Sequence, residues 1–319
     1  MSRILITGAS GFIGSNLARK LVKTQDLVSV VIRQETDPWR IKDILTDFDI
    51  YKVNLINGNQ IKNLIKRCKP EIVYHCAACG INRTQKNDEQ QIIETNINGT
   101  RNLLIALDEY GLINKLVNVG SYLEQTLKSD NNYRHSNSEK FDLYAFSKFY
   151  QTKLVQYFSN KRKIPAVTLR LFNPYGQFED SGRLVSDIMV SLIRKTSLKI
   201  LAGSKRHDFI HIGDVVEALQ TAAKSNIISG KIIDIGNGKK ISVKEVVEIA
   251  CAVTSITPII KWGKEETSIT VKSYDEEAAN LPNKRIFNWG PKISIDQGLM
   301  VTFDWYKKNI NLYRNLQRD

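Results

Sequence analysis

The segment that most restricts this chain lies near its beginning. The apolar run Ile4-Leu5-Ile6 passes straight into Thr7-Gly8-Ala9-Ser10-Gly11-Phe12-Ile13-Gly14, followed by an amphipathic stretch carrying Phe12, Ile13, Leu17, Leu21 and Val22. A strand that must turn at once into a helix needs residues without a Cβ at fixed places. Gly8 allows the tight turn, Gly11 lets the backbone approach a pyrophosphate, and Gly14 permits close packing of helix on sheet. The helix N-terminus then offers unpaired N–H groups and a partial positive charge to phosphates. A glycine-rich stretch alone reads equally well as a structural turn. With a strand before it and a helix after it, this one reads as a dinucleotide-binding turn, with Ser10, Phe12 and Ile13 among the cofactor contacts.

The rest of the first half keeps that rhythm. Leu27 to Ile32, Ile50 to Val53, Ile72 to Cys76, Leu116 to Val119 and Val167 to Leu171 are nearly continuous apolar runs, as strands covered on both faces require. Helix-length stretches separate them; one runs from Gln91 to Tyr110 and stops at Gly111. The β-α-β-α order predicts an α/β fold with a doubly wound parallel sheet and right-handed crossovers. After Leu171 the rhythm breaks. Asn173-Pro174-Tyr175-Gly176 reads as a loop leaving the sheet, the region from Ser181 to Ser204 and the tail from about Ser255 read as irregular, and Asp208 to Gly236 returns to strand, helix, strand. The expected division is a dinucleotide-binding Rossmann domain of residues 1–173 and 208–240, and a smaller, discontinuous substrate domain of 174–207 and 241–319.

Composition narrows the function classes. With 42% apolar and 25% charged residues among 319, the chain is neither disordered nor fibrous. A net charge of +13 raises the question of nucleic acid, but no basic run is interleaved with aromatics, and an anionic small substrate suits the same charge. Four cysteines make no disulfide framework, no apolar run approaches a membrane span, and Met1-Ser2-Arg3 leads directly into a strand without a signal peptide. A cytoplasmic enzyme without nucleic-acid or membrane partners is expected. Cys76-Ala77-Ala78-Cys79 has the spacing of a metal or redox pair, yet a zinc site needs about four ligands and no second pair follows. No metal is expected; Cys76 reads as a small packed residue and Cys79 as bordering the substrate pocket. His75, His135 and His211 read as structural.

The end of the second strand normally carries an acid that accepts from the adenosine ribose. Here it reads Val31-Ile32-Arg33-Gln34. A guanidinium suits the additional phosphate of NADP, with Trp39-Arg40 nearby to stack or add charge, so NADP(H) is expected over NAD(H). Tyr144-Ala145-Phe146-Ser147-Lys148 opens a helix, and its i, i+4 spacing puts phenol and ammonium on one face. A phenol serves as acid or base near neutrality only beside a cation, which Lys148 supplies. Ser121, at the carboxyl edge of the sheet, supplies the hydroxyl that orients a substrate oxygen.

TGASGFIG, HCAA at His75 to Ala78, NINGTRNLL from Asn96, VGS ending at Ser121, YAFSK from Tyr144 and LRLFNPYG from Leu169 follow one another in the order of the extended short-chain dehydrogenase/reductase family, which the chain resembles over nearly its whole length. HDFIHIGDVVEAL from His207 and FNWGPKISIDQGLMVTFDWY from Phe287 resemble its sugar-nucleotide branch. The resemblance implies Tyr144 as catalytic acid/base, Lys148 on the nicotinamide ribose, Ser121 on the substrate oxygen and Asn96 in support. Ala77, Ala78, Asn54, Leu55 and Phe172 would border the cofactor. Asn173, Arg206 and His207 would meet the substrate diphosphate, and Cys79 and Tyr122 the sugar. It also implies a homodimer through a four-helix interface.

Two departures shape the expected reaction. His207, with Arg206 before it, stands where the family has Arg directly before Asp-Phe. Tyr122-Leu123 stands where sugar dehydratases have an adjacent Asp-Glu pair, so elimination has no evident proton carriers. The expectation is an NADPH-dependent reductase of a CDP- or dTDP-linked 4-ketosugar, close in appearance to the enzymes that finish deoxyhexoses. A nucleotide-sugar 4-epimerase is the alternative, and a non-catalytic dinucleotide sensor on the same fold a second.

Overall fold

A computed structural model describes residues 1–80, 88–127, 142–200, 203–226, 229–263, 278–282, 284 and 287–313; His135 lies outside them. In chain order the first half forms β1 (Arg3–Thr7), α1 (Phe12–Leu21), β2 (Leu27–Ile32), β3 (Asp49–Lys52), α2 (Gly58–Cys68), β4 (Ile72–His75), α3 (Glu89–Ile93), α4 (Thr100–Tyr110), β5 (Lys115–Ser121), α5 (Leu143–Arg162) and β6 (Ala166–Leu171). There follow β7 (Pro174–Tyr175), α6 (Leu184–Arg194), β8 (Leu198–Ile200), β9 (Arg206–Asp208), β10 (Ile210–His211), α7 (Ile212–Lys224), β11 (Ile232–Ile235), β12 (Lys240–Ser242), α8 (Val243–Thr254), β13 (Ile260–Trp262) and α9 (Ile295–Asn309).

A seven-stranded parallel sheet carries the fold, in the order β11-β6-β5-β4-β1-β2-β3. The chain builds outward from β1 to β3 and then crosses to β4 on the other side of β1. This reversal leaves a crevice at the carboxyl ends of β1 and β4, where ligands settle in doubly wound sheets. The central strands are apolar on both faces because helices cover both. Leu5, Val73 and Leu116 from the strands pack with Ile61, Leu64 and Ile65 of α2 and Leu103, Leu104 and Leu107 of α4. Gly111 caps α4 at φ 71°, a left-handed turn that glycine enters freely.

The chain groups into two compact units, one of Met1–Leu171, Val216–Asp234 and Pro282–Trp289, the other of Phe172–Val215, Ile235–Leu281 and Gly290–Asp319. The return segment of the first unit is shorter at both ends than the expected 208–240. The reason is local pairing: β9 pairs antiparallel with β12, and β10 pairs parallel with β7.

Two stretches expected to be irregular are helical. Residues 184–194 form α6, which buries Val185, Ile188, Met189 and Leu192 at helical spacing. The tail contains α9, started by a capping box in which Ser294 Oγ accepts from Gln297 N–H and the Gln297 side chain reaches back. Among the described residues, no helix is long and apolar enough to cross a membrane.

Candidate active site

The turn after β1 separates glycines the fold requires from one it does not. Gly8 sits at φ +70°, and a Cβ there would fall 2.6 Å from the Ala77 backbone; a Cβ on Gly14 would fall 2.2 Å from the Gly8 carbonyl oxygen. At Gly11 a Cβ would meet only that oxygen, at 3.3 Å, and the residue is exposed. The missing side chain at Gly11 therefore leaves space for something outside the fold. Gly11 is the N-cap of α1; no side chain caps that helix and no acid stands in its first turn. Ser10, Phe12 and Ile13, half-buried, frame the same turn.

Arg40 brings a cation to this turn. It is 7% exposed, its Nη1 donates to the Ser10 carbonyl at 3.2 Å, and its guanidinium lies 4.3 Å from the Trp39 ring centroid. Arg19 donates to the Arg40 carbonyl and fixes the loop. A helix N-terminus with unused donors, an open glycine and a held guanidinium fit the pyrophosphate of a dinucleotide. Arg33 stands exposed just beyond β2, close enough to Cys79 to act on its thiol electrostatically. The exposed Asn54 accepts from Ile56 N–H, and Leu55 is buried in the core. Ala77 passes over Gly8, and Ala78 is exposed.

Helix α5 starts where the Asp142 side chain accepts from Ala145 N–H at 3.0 Å, which sets the register of the two residues that follow on one face. Tyr144 and Lys148 are 9% and 2% exposed. The Tyr144 ring borders Gly80, at 3.4 Å from where a Cβ would stand; that Cβ would first meet Ile92, at 2.8 Å. The Lys148 ammonium donates to the Val119 carbonyl of β5 at 2.7 Å and to Gln151 Oε1. Burial pulls Lys148 down to about 8, with Glu124 opposing. The ammonium is thus poised to change its charge near neutrality while its position is fixed.

Gln151 continues into a buried chain of hydrogen bonds. Its Nε2 donates to Thr100 Oγ1, which donates in turn to the Asn96 carbonyl. His75 joins Thr100 at 2.8 Å through Nε2 and Thr7 at 2.7 Å through Nδ1. The Thr100 proton is already given away, so His75 must donate from Nε2 and accept from Thr7, which assigns the neutral Nε2–H tautomer. Burial holds His75 at about 3. This network ties Lys148 to β1, β4 and α4.

Asn96 lies on a π-helical turn, Glu94–Gly99, between α3 and α4. Its amide bonds both the N–H and the carbonyl of Cys79 and donates to Ser147 Oγ at 2.9 Å, while Ser147 donates to the Tyr144 carbonyl. One side chain therefore joins the loop after β4 to the turn that carries Tyr144.

Ser121 ends β5 and is 7% exposed. A short 3-10 turn, Tyr122–Leu127, follows, with Tyr122 half-buried. Below it lies a group the sequence reading passed over. Glu124 is 1% exposed and accepts the Ser121 N–H on Oε1 at 2.7 Å. Arg170 of β6 faces Glu124 electrostatically and pairs with buried Asp234, with Nε 2.7 Å from Oδ1. Gln151 was also missed; its only signal was its place one turn after Lys148.

In the second unit, Asn173 sits at φ 26° and its side chain donates to the Asp208 carbonyl. Asp208, fully buried, accepts from the N–H groups of Asn237, Gly238 and Ala279 and so organises that loop cluster. Arg206 is engaged with Glu245 at 3.1 Å and with the Lys240 carbonyl. His207 packs edge-on to Phe209, and Phe172 is fully buried. Cys76 and Cys79 are free thiols, both held high by burial, Cys76 at about 12. Among the described residues, no three His, Cys, Asp or Glu side chains gather to hold a metal.

The family model described as "NAD dependent epimerase/dehydratase family" matches residues 4–236. A dTDP-D-glucose 4,6-dehydratase from Dictyostelium discoideum is 24% identical, over all of this chain and 85% of its own length. A UDP-glucuronate 4-epimerase from Thermodesulfobacterium geofontis is 23% identical over 99% of this chain and 100% of its own. In structure, the dTDP-glucose 4,6-dehydratase from Bacillus anthracis in complex with NAD superimposes with a TM-score of 0.82 at 22% identity, covering 99% of this chain and 100% of the other.

Proposed function

The chain belongs to the NAD dependent epimerase/dehydratase family, and on that premise we propose that it is a nucleotide-sugar 4-epimerase, which oxidises the sugar C4 hydroxyl to a carbonyl and reduces it again from the other face. The observation that carries this is the proton inventory at the carboxyl edge of β5. Tyr144 lies one turn of α5 before Lys148, whose ammonium is fixed on the Val119 carbonyl. Where elimination of water would need an adjacent Asp-Glu pair, the chain has Tyr122-Leu123, and the nearby carboxylate, Glu124, is turned inward onto the Ser121 backbone. One positioned proton carrier suffices to interconvert alcohol and carbonyl.

In this reading Tyr144 takes the hydroxyl proton as the carbonyl forms and gives it back on re-reduction, while the Lys148 charge favours the phenolate. Ser121 hydrogen-bonds the same oxygen and stabilises the charge developing on it. The turn Gly8, Gly11 and Gly14, with Arg40, would hold the dinucleotide, which supplies the hydride acceptor when bound. UDP- and dTDP-linked sugars are the first substrates to try, since the similar proteins are named for them. Asn173 and His207 are the proposed diphosphate contacts, with Arg206 as their neighbour.

A 4-ketosugar reductase using NADPH is the second reading. Arg33 and Arg40 favour it, since a guanidinium rather than an acid ends β2. The expected homodimer belongs here as well: Tyr150 and Tyr157 of α5 are 45% and 54% exposed, as a helix awaiting a second copy would leave them. Purified protein incubated with UDP- and dTDP-hexoses and their 4-keto forms separates the readings. Interconversion of C4 epimers without net consumption of reduced cofactor supports the epimerase; stoichiometric NADPH oxidation with no interconversion replaces it with the reductase.

A further inference from the structure

Glu124 is a buried acid in a slot shaped to receive it. A Cβ on Gly120 would lie 2.7 Å from Glu124 Oε1 and 2.9 Å from Thr168 Cγ2, so the strand carries no side chain where the carboxylate enters. Oε1 accepts the Ser121 N–H, and two buried cations face the acid, Lys148 from α5 and Arg170 from β6. Arg170 has its own carboxylate in Asp234, whereas the hydrogen-bond partners of Lys148, Val119 and Gln151, are neutral. Glu124 is then the buried carboxyl that acts on Lys148 electrostatically and favours its ammonium form.

We propose that Glu124 is a positioning residue of the proton-transfer site, fixing the main chain at Ser121 and supplying the counter-charge of Lys148. This rests on the reading of Tyr144, Lys148 and Ser121 as the reacting constellation. Glu124 does not meet substrate; it acts through its two neighbours. Burying an ammonium without an opposed charge favours the neutral amine, and a neutral Lys148 would no longer favour the Tyr144 phenolate. Lys148 is faced electrostatically by Glu124 from the turn after β5 and by Cys76 and His75 at the end of β4. Burial holds the Cys76 thiol high and the His75 imidazole low, so Glu124 is the acid among them; burial raises its carboxyl too, and the Ser121 N–H, Lys148 and Arg170 oppose that rise by favouring the carboxylate.

The test compares wild type, Glu124→Gln and Gly120→Ala in the pH dependence of NADH binding, read by fluorescence titration, and in the pH profile of turnover. The glutamine keeps an acceptor for Ser121 and removes the charge; the added methyl of Gly120→Ala displaces the carboxylate without deleting it. Both are expected to move the alkaline limb of cofactor binding down by roughly one pH unit, the scale of losing one opposed charge at short range. Turnover at pH 8 is expected to fall about fivefold with KM little changed, in line with that shift. A role confined to folding would lower thermal stability and leave the alkaline limb in place, and that result, or superimposable limbs in all three proteins, overturns the proposal. Because binding is read without turnover, failure of the epimerase reading leaves this outcome separately decided.

Discussion

Asn96 holds both main-chain polar groups of Cys79: Oδ1 accepts from its N–H at 2.8 Å and Nδ2 donates to its carbonyl at 2.9 Å. The same Nδ2 donates to Ser147, so the loop that leaves β4 and the turn that presents Tyr144 move together. Asn96→Ala leaves buried groups unpaired, and a loss of about 1–3 kcal/mol in urea-unfolding stability is expected. Turnover should fall further than stability accounts for, by about tenfold or more, because the phenol loses its fixed position. A variant with near-normal turnover would show that this tie does not orient Tyr144.

The glycine turn makes a sharper prediction. Gly11→Ala adds a methyl whose nearest neighbour is the Gly8 carbonyl at 3.3 Å, so unfolding free energy should change by no more than about 1 kcal/mol. Affinity for NAD should nonetheless fall by about tenfold or more, since the methyl stands where the pyrophosphate must approach the backbone. Calorimetric titration checks it; unchanged affinity would remove Gly11 from the cofactor site. Gly14→Ala, 2.2 Å from the Gly8 carbonyl, should instead fail to fold.

The contrast shows what was legible in the sequence. β1, β2, β4, β5 and β6 were readable because strands covered on both faces must be apolar almost throughout, the exposed edge strand β3 from its short run Ile50 to Val53, and the glycine turn because its backbone demands are local. Helix α6 carried Val185, Ile188, Met189 and Leu192 at helical spacing, and α9 the Ser294 and Gln297 capping pair. Both signals were outweighed by the glycine, proline and tryptophan punctuation around them. Glu124 was not readable at all: its burial depends on Gly120, on Lys148 and on Arg170, brought together only by the pairing of β5 with β6 and the packing of α5. A lone glutamate in a polar turn otherwise looks like a solvated charge.

His75 predicts a pH dependence of stability. Its ordinary value of about 6.5 drops to about 3 in the folded chain because burial disfavours the imidazolium. The unfolded chain therefore takes up a proton first as pH falls, and the stabilisation present above pH 6.5 is lost toward pH 3 by up to about 1.4 kcal/mol per pH unit. His75→Gln can still bond Thr7 and Thr100 but does not titrate. Its deficit relative to wild type in urea unfolding should shrink between pH 6.5 and pH 4; a deficit constant across that window would mean His75 titrates normally.

The measurement that tests the central claim most directly follows one hydrogen. A UDP- or dTDP-hexose deuterated at C4 is incubated with the enzyme and oxidised cofactor in catalytic amount, and the products are resolved by NMR and mass spectrometry. If Tyr144 carries the proton through oxidation and re-reduction at a single carbon, the C4 epimer forms with deuterium retained at C4, and Tyr144→Phe forms it at least about 10²-fold more slowly. Loss of the label from C4, or conversion only when reduced cofactor is supplied in stoichiometric amount, would contradict the account.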